Sequence, residues 1–151
     1  MHRKIALVVS LLLLITSFVV TASAVEENEF CVWIFDDGSY ITESFTVMGY
    51  RATGSISGSK TRNYYDGNGA LDWQVVLTGS FTYTGTSATC TSSTCNVTIY
   101  DSAWYTVSKS SGKSGNTATA SATIGEKLLG VTVRQIPVSL SISCDKNGNL
   151  S

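Results

Sequence analysis

From Trp73 to Thr84 the chain alternates, with Trp73, Val75, Leu77, Gly79, Phe81 and Tyr83 on one side and Gln74, Val76, Thr78, Ser80, Thr82 and Thr84 on the other. A period of two held this long fits a strand with one buried face and does not fit a helix. The pattern recurs. Cys95, Val97 and Ile99 alternate with Asn96, Thr98 and Tyr100, and Tyr105 and Val107 continue it. Ala118, Ala120, Ala122 and Ile124 form a further inward set whose small side chains suit close approach of a second sheet. The last run spans Leu128 to Cys144 and changes phase, from Val131 and Val133 to Val138, Leu140, Ile142 and Cys144. That change predicts a bulge or break near Gln135-Ile136-Pro137, and Pro137 belongs at the break or on a sheet edge.

Three shorter strands are expected upstream, over Phe30 to Phe35, Tyr40 to Val47 and Tyr50 to Ile56. Asp36-Asp37-Gly38-Ser39 reads as a tight turn, and Ser110 to Gly115 as a hairpin loop. Ser57 to Gly69 reads as the longest irregular segment. Eight or so short strands at hairpin spacing predict an all-β chain. The expected architecture is an antiparallel β-sandwich, Ig-like or related, with a closed barrel as the alternative.

The N-terminus carries an address. Met1-His2-Arg3-Lys4 precedes an apolar stretch from Ile5 to Val20, and Ala22-Ser23-Ala24 supplies an A-x-A end. This is the pattern of a cleaved secretory signal over residues 1–24, leaving residues 25–151 as one secreted domain. Loss of Arg3 and Lys4 turns ten bases against eleven acids into eight against eleven, about −3. A mildly acidic chain with scattered cations argues against nucleic acid and anionic membranes as partners. No lipobox precedes Cys31 and no second spanning stretch follows, so no stable membrane anchor is expected after cleavage.

Four cysteines, Cys31, Cys90, Cys95 and Cys144, suit disulfides in an oxidising compartment, with three connectivities open. Cys90 and Cys95 bracket Thr91-Ser92-Ser93-Thr94, read as a polar loop that brings them into reach of each other. Cys31 and Cys144 would then staple the first mature strand to the last. The chain-entropy argument gives roughly 2 kcal/mol for the short loop and nearly 5 for the long one. Zinc ligation by four thiolates needs a different spacing, so no metal is expected.

His2, the one histidine, lies in the leader. A mature chain without imidazole lacks the Ser-His-Asp and Cys-His nucleophile systems and the usual zinc sites. Catalysis and a cofactor are therefore not expected. Carboxylate chemistry of the glycosidase kind survives, but it needs two acids facing one cleft. The most suggestive stretch is Arg62 to Trp73, where Tyr64, Tyr65, Asp66, Asn68 and Asp72 are candidates to stack on a sugar ring and bind its hydroxyls. Asp66, Asn68 and Asp72 are also spaced loosely like a calcium loop, and so are Asp145, Asn147 and Asn149. A simpler reading makes these residues turn chemistry, with Trp73 in the core. Asn96-Val97-Thr98 fits a glycosylation sequon.

Gly79-Ser80-Phe81-Thr82-Tyr83, Cys90 to Cys95, Ser102-Ala103-Trp104-Tyr105 and Ser114-Gly115-Asn116-Thr117-Ala118 carry a resemblance over roughly the C-terminal half. There the chain resembles small secreted β-rich proteins of Gram-positive bacteria, a group with no assigned function. The resemblance implies a compact β domain and no mechanism. The functional expectation is a secreted, non-catalytic module binding an extracellular ligand, glycan or protein. An antimicrobial, toxin-like or protective protein is the first alternative, and a small glycan hydrolase the second.

Overall fold

The computed structural model describes residues 29–48 and 54–151. The expected leader over residues 1–24 lies outside them, as does the start of the strand expected from Tyr50. Eight strands follow in order: β1 (Phe30–Ile34), β2 (Tyr40–Met48), β3 (Ser55–Tyr65), β4 (Leu71–Tyr83), β5 (Ala88–Ile99), β6 (Trp104–Ser114), β7 (Thr117–Leu128) and β8 (Val131–Ser143). They build a five-stranded sheet, β1-β2-β3-β4-β5, and a three-stranded sheet, β6-β7-β8. Every pair is antiparallel between chain neighbours. The all-β expectation holds, and the order within each sheet is a meander rather than a closed barrel.

The alternation read from the sequence sets the inner faces. Trp73, Val75, Leu77 and Phe81 of β4 are buried against Ala118, Ala120, Ala122 and Ile124 of β7 and Val138, Leu140 and Ile142 of β8. Each fully buried Leu, Ile or Phe contributes about 1.5–3 kcal/mol. The small faces meet closely at Gly79, where an added Cβ would lie 2.9 Å from both the Ala118 Cβ and the Phe81 ring. Sheets with alanine and glycine on their facing surfaces approach until such contacts stop them.

Several expectations are corrected. Most of Ser57 to Gly69 is strand, not irregular: β3 pairs with β2 and β4 along its length. Its inward side chains include Lys60 and Arg62, which pair with Glu43 of β2 instead of meeting the smaller sheet. That removes the apolar period a sequence reading depends on. Ser110 to Ser114 belongs to β6, and the turn falls at Gly115-Asn116. The expected bulge in β8 is present but falls at Val133, opposite the Glu126–Lys127 step of β7, and the strand runs on through Pro137 at the edge of its sheet. Its even residues from Ile136 to Ile142 point inward throughout, while Val131 and Val133 are exposed.

The disulfide expectations are corrected as well. Cys90 to Cys95 is part of β5, so the two residues stand five steps apart along one extended strand. At about 3.3 Å per residue their Cα atoms are roughly 16 Å apart, far beyond disulfide reach. Cys31 on exposed β1 and Cys144 in the core are likewise unpaired, and all four stand as thiols. Burial raises the pKa of Cys90, Cys95 and Cys144, which favours the thiol over the thiolate.

The turns after β1, β3, β5 and β7 gather at one end of the molecule. At the tip of the β7–β8 hairpin, Leu129 adopts φ 50° before Gly130 at φ 82°. It is the only non-glycine with positive φ among the described residues. A side chain in that region costs about 1–2 kcal/mol, and asparagine or glycine is the usual choice.

Candidate functional site

The end where these turns meet carries a polar cleft of about 380 Å³. Asp66, Gly67 and Asn68 line it from the β3–β4 turn, Asp37 and Ser39 from the β1–β2 turn. Tyr64, Asp72 and Trp104 form its floor, with Glu126 and Arg134 as the wall from the smaller sheet. Four of the five sequence candidates (Tyr64, Asp66, Asn68 and Asp72) therefore come together.

Asp66 builds its own turn. Its Oδ1 accepts from the backbone N–H of Asn68 at 2.9 Å and of Ala70 at 2.8 Å. These bonds hold its carboxyl below the usual range, led by the Ala70 N–H. Asp145 repeats the arrangement, accepting from the N–H of Asn147 and Asn149. Both calcium-like spacings are thus Asp-x-Asn-Gly turns that a carboxylate closes from within. Among the described residues no cluster of acids or thiols is arranged to hold a metal.

Tyr64 is a floor rather than a stacking platform. It is 1% exposed, lies parallel to Trp73 with ring centroids 5.2 Å apart, and leans on Trp104 at 4.9 Å. Burial raises its phenol pKa, and its hydroxyl accepts a hydrogen bond from Arg134. Tyr65 is not in the cleft. It stacks on Tyr40 at 4.9 Å and donates to Glu29 at 3.2 Å. The adjacent tyrosines face different surroundings because they sit side by side on one strand. Asp72 is buried and accepts from Trp104 Nε1 at 3.0 Å. Burial pushes its carboxyl pKa up, and Asp101, Asp66 and Glu126 add to the rise.

Arg134 ties the cleft together. Its guanidinium donates to Glu126 at 2.9 Å, to Asp37 at 3.1 Å and to Tyr64. It also lies over the rings of Trp104, Tyr64 and Phe35 at 5.1, 5.4 and 5.5 Å. Sequence reasoning missed Arg134, Glu126, Asp37, Ser39 and Trp104 as site residues. They come from distant strands and share no motif; the Asp-Asp-Gly turn was the single local signal among them.

Beside this end an apolar groove of about 700 Å³ runs between β1 and β8, lined by Val32, Trp33, Ile34, Phe35, Ile136 and Pro137 among others. No family model, curated protein or solved structure matches this chain, so the chemistry of the cleft carries the functional reading alone.

Proposed function

We propose that the chain is an exported, non-catalytic β-sandwich module that binds a hydroxyl-rich ligand, a glycan, in the polar cleft. The observation that carries the reading is the convergence of Asp66, Asn68 and Asp72 with Asp37, Glu126 and Arg134 around one opening. Carboxylates and a carboxamide accept from and donate to sugar hydroxyls, and Arg134 fixes the wall geometrically. The aromatic rings of the cleft are buried, so recognition runs through hydrogen bonds rather than stacking. Export rests on the leader pattern, and kinship with secreted Gram-positive proteins on the strand and turn signatures of the C-terminal half. Glycan-array screening of residues 25–151 tests the reading. A bound glycan that Asn68→Ala weakens at least tenfold supports it, and an array without hits contradicts it.

One observation favours a hydrolase as the second reading. The cleft holds Asp72 with a raised pKa alongside Asp37 and Asp66 with lowered ones. Carboxyls shifted in opposite directions and lining one opening meet the first requirement for a proton donor and an ionised partner. Sugar release from a polysaccharide, abolished in Asp72→Asn, would favour this reading over simple binding.

A further inference from the structure

The β7–β8 tip combines two unfavourable features in one residue. Leu129 is 98% exposed and takes the left-handed conformation in which a leucine is strained. The other tight turns place glycine at their positive-φ positions. Around Leu129, Leu128 is 64% exposed, Val131 65% and Val133 55%. No charged residue lies between Lys127 and Arg134. An outlier retained at a solvent-facing tip points to a surface that the tip meets.

The side chains behind the tip are ordered by polarity. One rung back, Lys127 lies 4.3 Å over the Tyr105 ring, and the Tyr105 hydroxyl hydrogen-bonds Thr132 at 2.6 Å. The next rung holds the Glu126–Arg134 ion pair at 2.9 Å. Aliphatic tip, aromatic and lysine collar, then charge is the order of polarity across a membrane interface. Farther from the tip, the turns of the same end carry Asp36, Asp66 and Asp101, while Arg134 is paired with Asp37 and Glu126. Among the described residues, Lys127 over the Tyr105 ring is the one cation left unpaired by an acid there. Acids outnumber cations over this end as a whole, and such a surface is repelled by anionic headgroups and tolerated by zwitterionic ones.

We propose that this hairpin is a membrane-contact element that seats Leu128, Leu129 and Val131 in the interface of a zwitterionic bilayer. The contact is reversible. Three aliphatic side chains offer less apolar surface than a single myristoyl chain, so the partition constant lies below the value on the order of 10⁴ M⁻¹ that one such chain gives. The proposal stands independently of the glycan reading, and it sets the mouth of the cleft toward the membrane surface.

Leu129→Asn separates contact from folding, because Asn-Gly is the favoured pair for such a turn. Co-sedimentation with phosphatidylcholine vesicles is the measurement, with thermal unfolding run on both proteins. Wild type is expected to sediment at millimolar lipid. Leu129→Asn is expected to bind at least tenfold more weakly while its Tm stays equal or rises. Replacing a third of the lipid with phosphatidylglycerol is expected to weaken wild-type binding. Wild type that ignores phosphatidylcholine vesicles overturns the proposal and leaves an apolar protein pocket as the occupant. Equal binding by wild type and Leu129→Asn, or tighter binding to the anionic vesicles, also overturns it.

Discussion

Arg134 meets three aromatic faces and three oxygen partners at once, so its charge is compensated on every side the protein covers. Removing it leaves Glu126 and Asp37 without their cation above buried rings. Arg134→Met is expected to lower the unfolding free energy by about 2 kcal/mol, measured by urea denaturation; an unchanged midpoint would show that the cluster holds nothing together. Asp72 gives a second residue-scale prediction. Its folded pKa is raised, so its contribution to stability is present below about pH 4 and is lost as pH rises through the folded value. Asp37, Asp66, Asp145 and Glu29 are lowered, so theirs is present at neutral pH and lost on acidification. Asp72→Asn keeps an oxygen for Trp104 Nε1 and removes only the first effect. It is expected to raise Tm at pH 7 and leave Tm at pH 3 unchanged; equal shifts at both would contradict the assignment. Asp66 and Asn68 were legible in the sequence because a turn is local chemistry. Arg134 was not, since it reaches partners as far as 97 positions away.

β4 and β7 were readable because both faces of the alternation are expressed: large inward side chains on one strand, alanines on the other. Their contact depends on Gly79, and Gly79→Ala is expected to cost about 1–3 kcal/mol by driving a methyl group into Ala118 and Phe81, read by urea denaturation. β3 was not readable, because Lys60 and Arg62 occupy inward positions that the smaller sheet does not cover. β5 misled for a different reason. Serine and threonine between two cysteines resemble a loop, yet they continue a strand whose register shifts beside Phe81. Thr91 is the extra residue there, so Phe81 faces Cys90 and Leu77 faces Cys95. Both thiols consequently point inward despite their odd spacing. Peptide mapping without reduction is expected to find no Cys90–Cys95 link, and finding one would require β5 to be broken.

Across the whole molecule, the meander sends every odd-numbered strand to the same end, so four turns far apart in sequence become neighbours. Fold class was legible because it needs only periodicity. The cleft was half legible: one turn announced itself, while its opposite wall comes from a second sheet whose position no local pattern states. The same topology places a strained apolar tip beside an acidic opening, and the two proposals, glycan binding and membrane contact, rest on the two sides of this juxtaposition. The most direct measurement is calorimetric titration of an array-identified glycan into wild type, Tyr65→Ala and the double variant Asp37→Ala, Asn68→Ala, each checked for a folded β spectrum. Wild type and Tyr65→Ala are expected to bind alike, and the double variant at least tenfold more weakly. Undiminished binding by the double variant, or loss of binding in Tyr65→Ala, would contradict the cleft as the site.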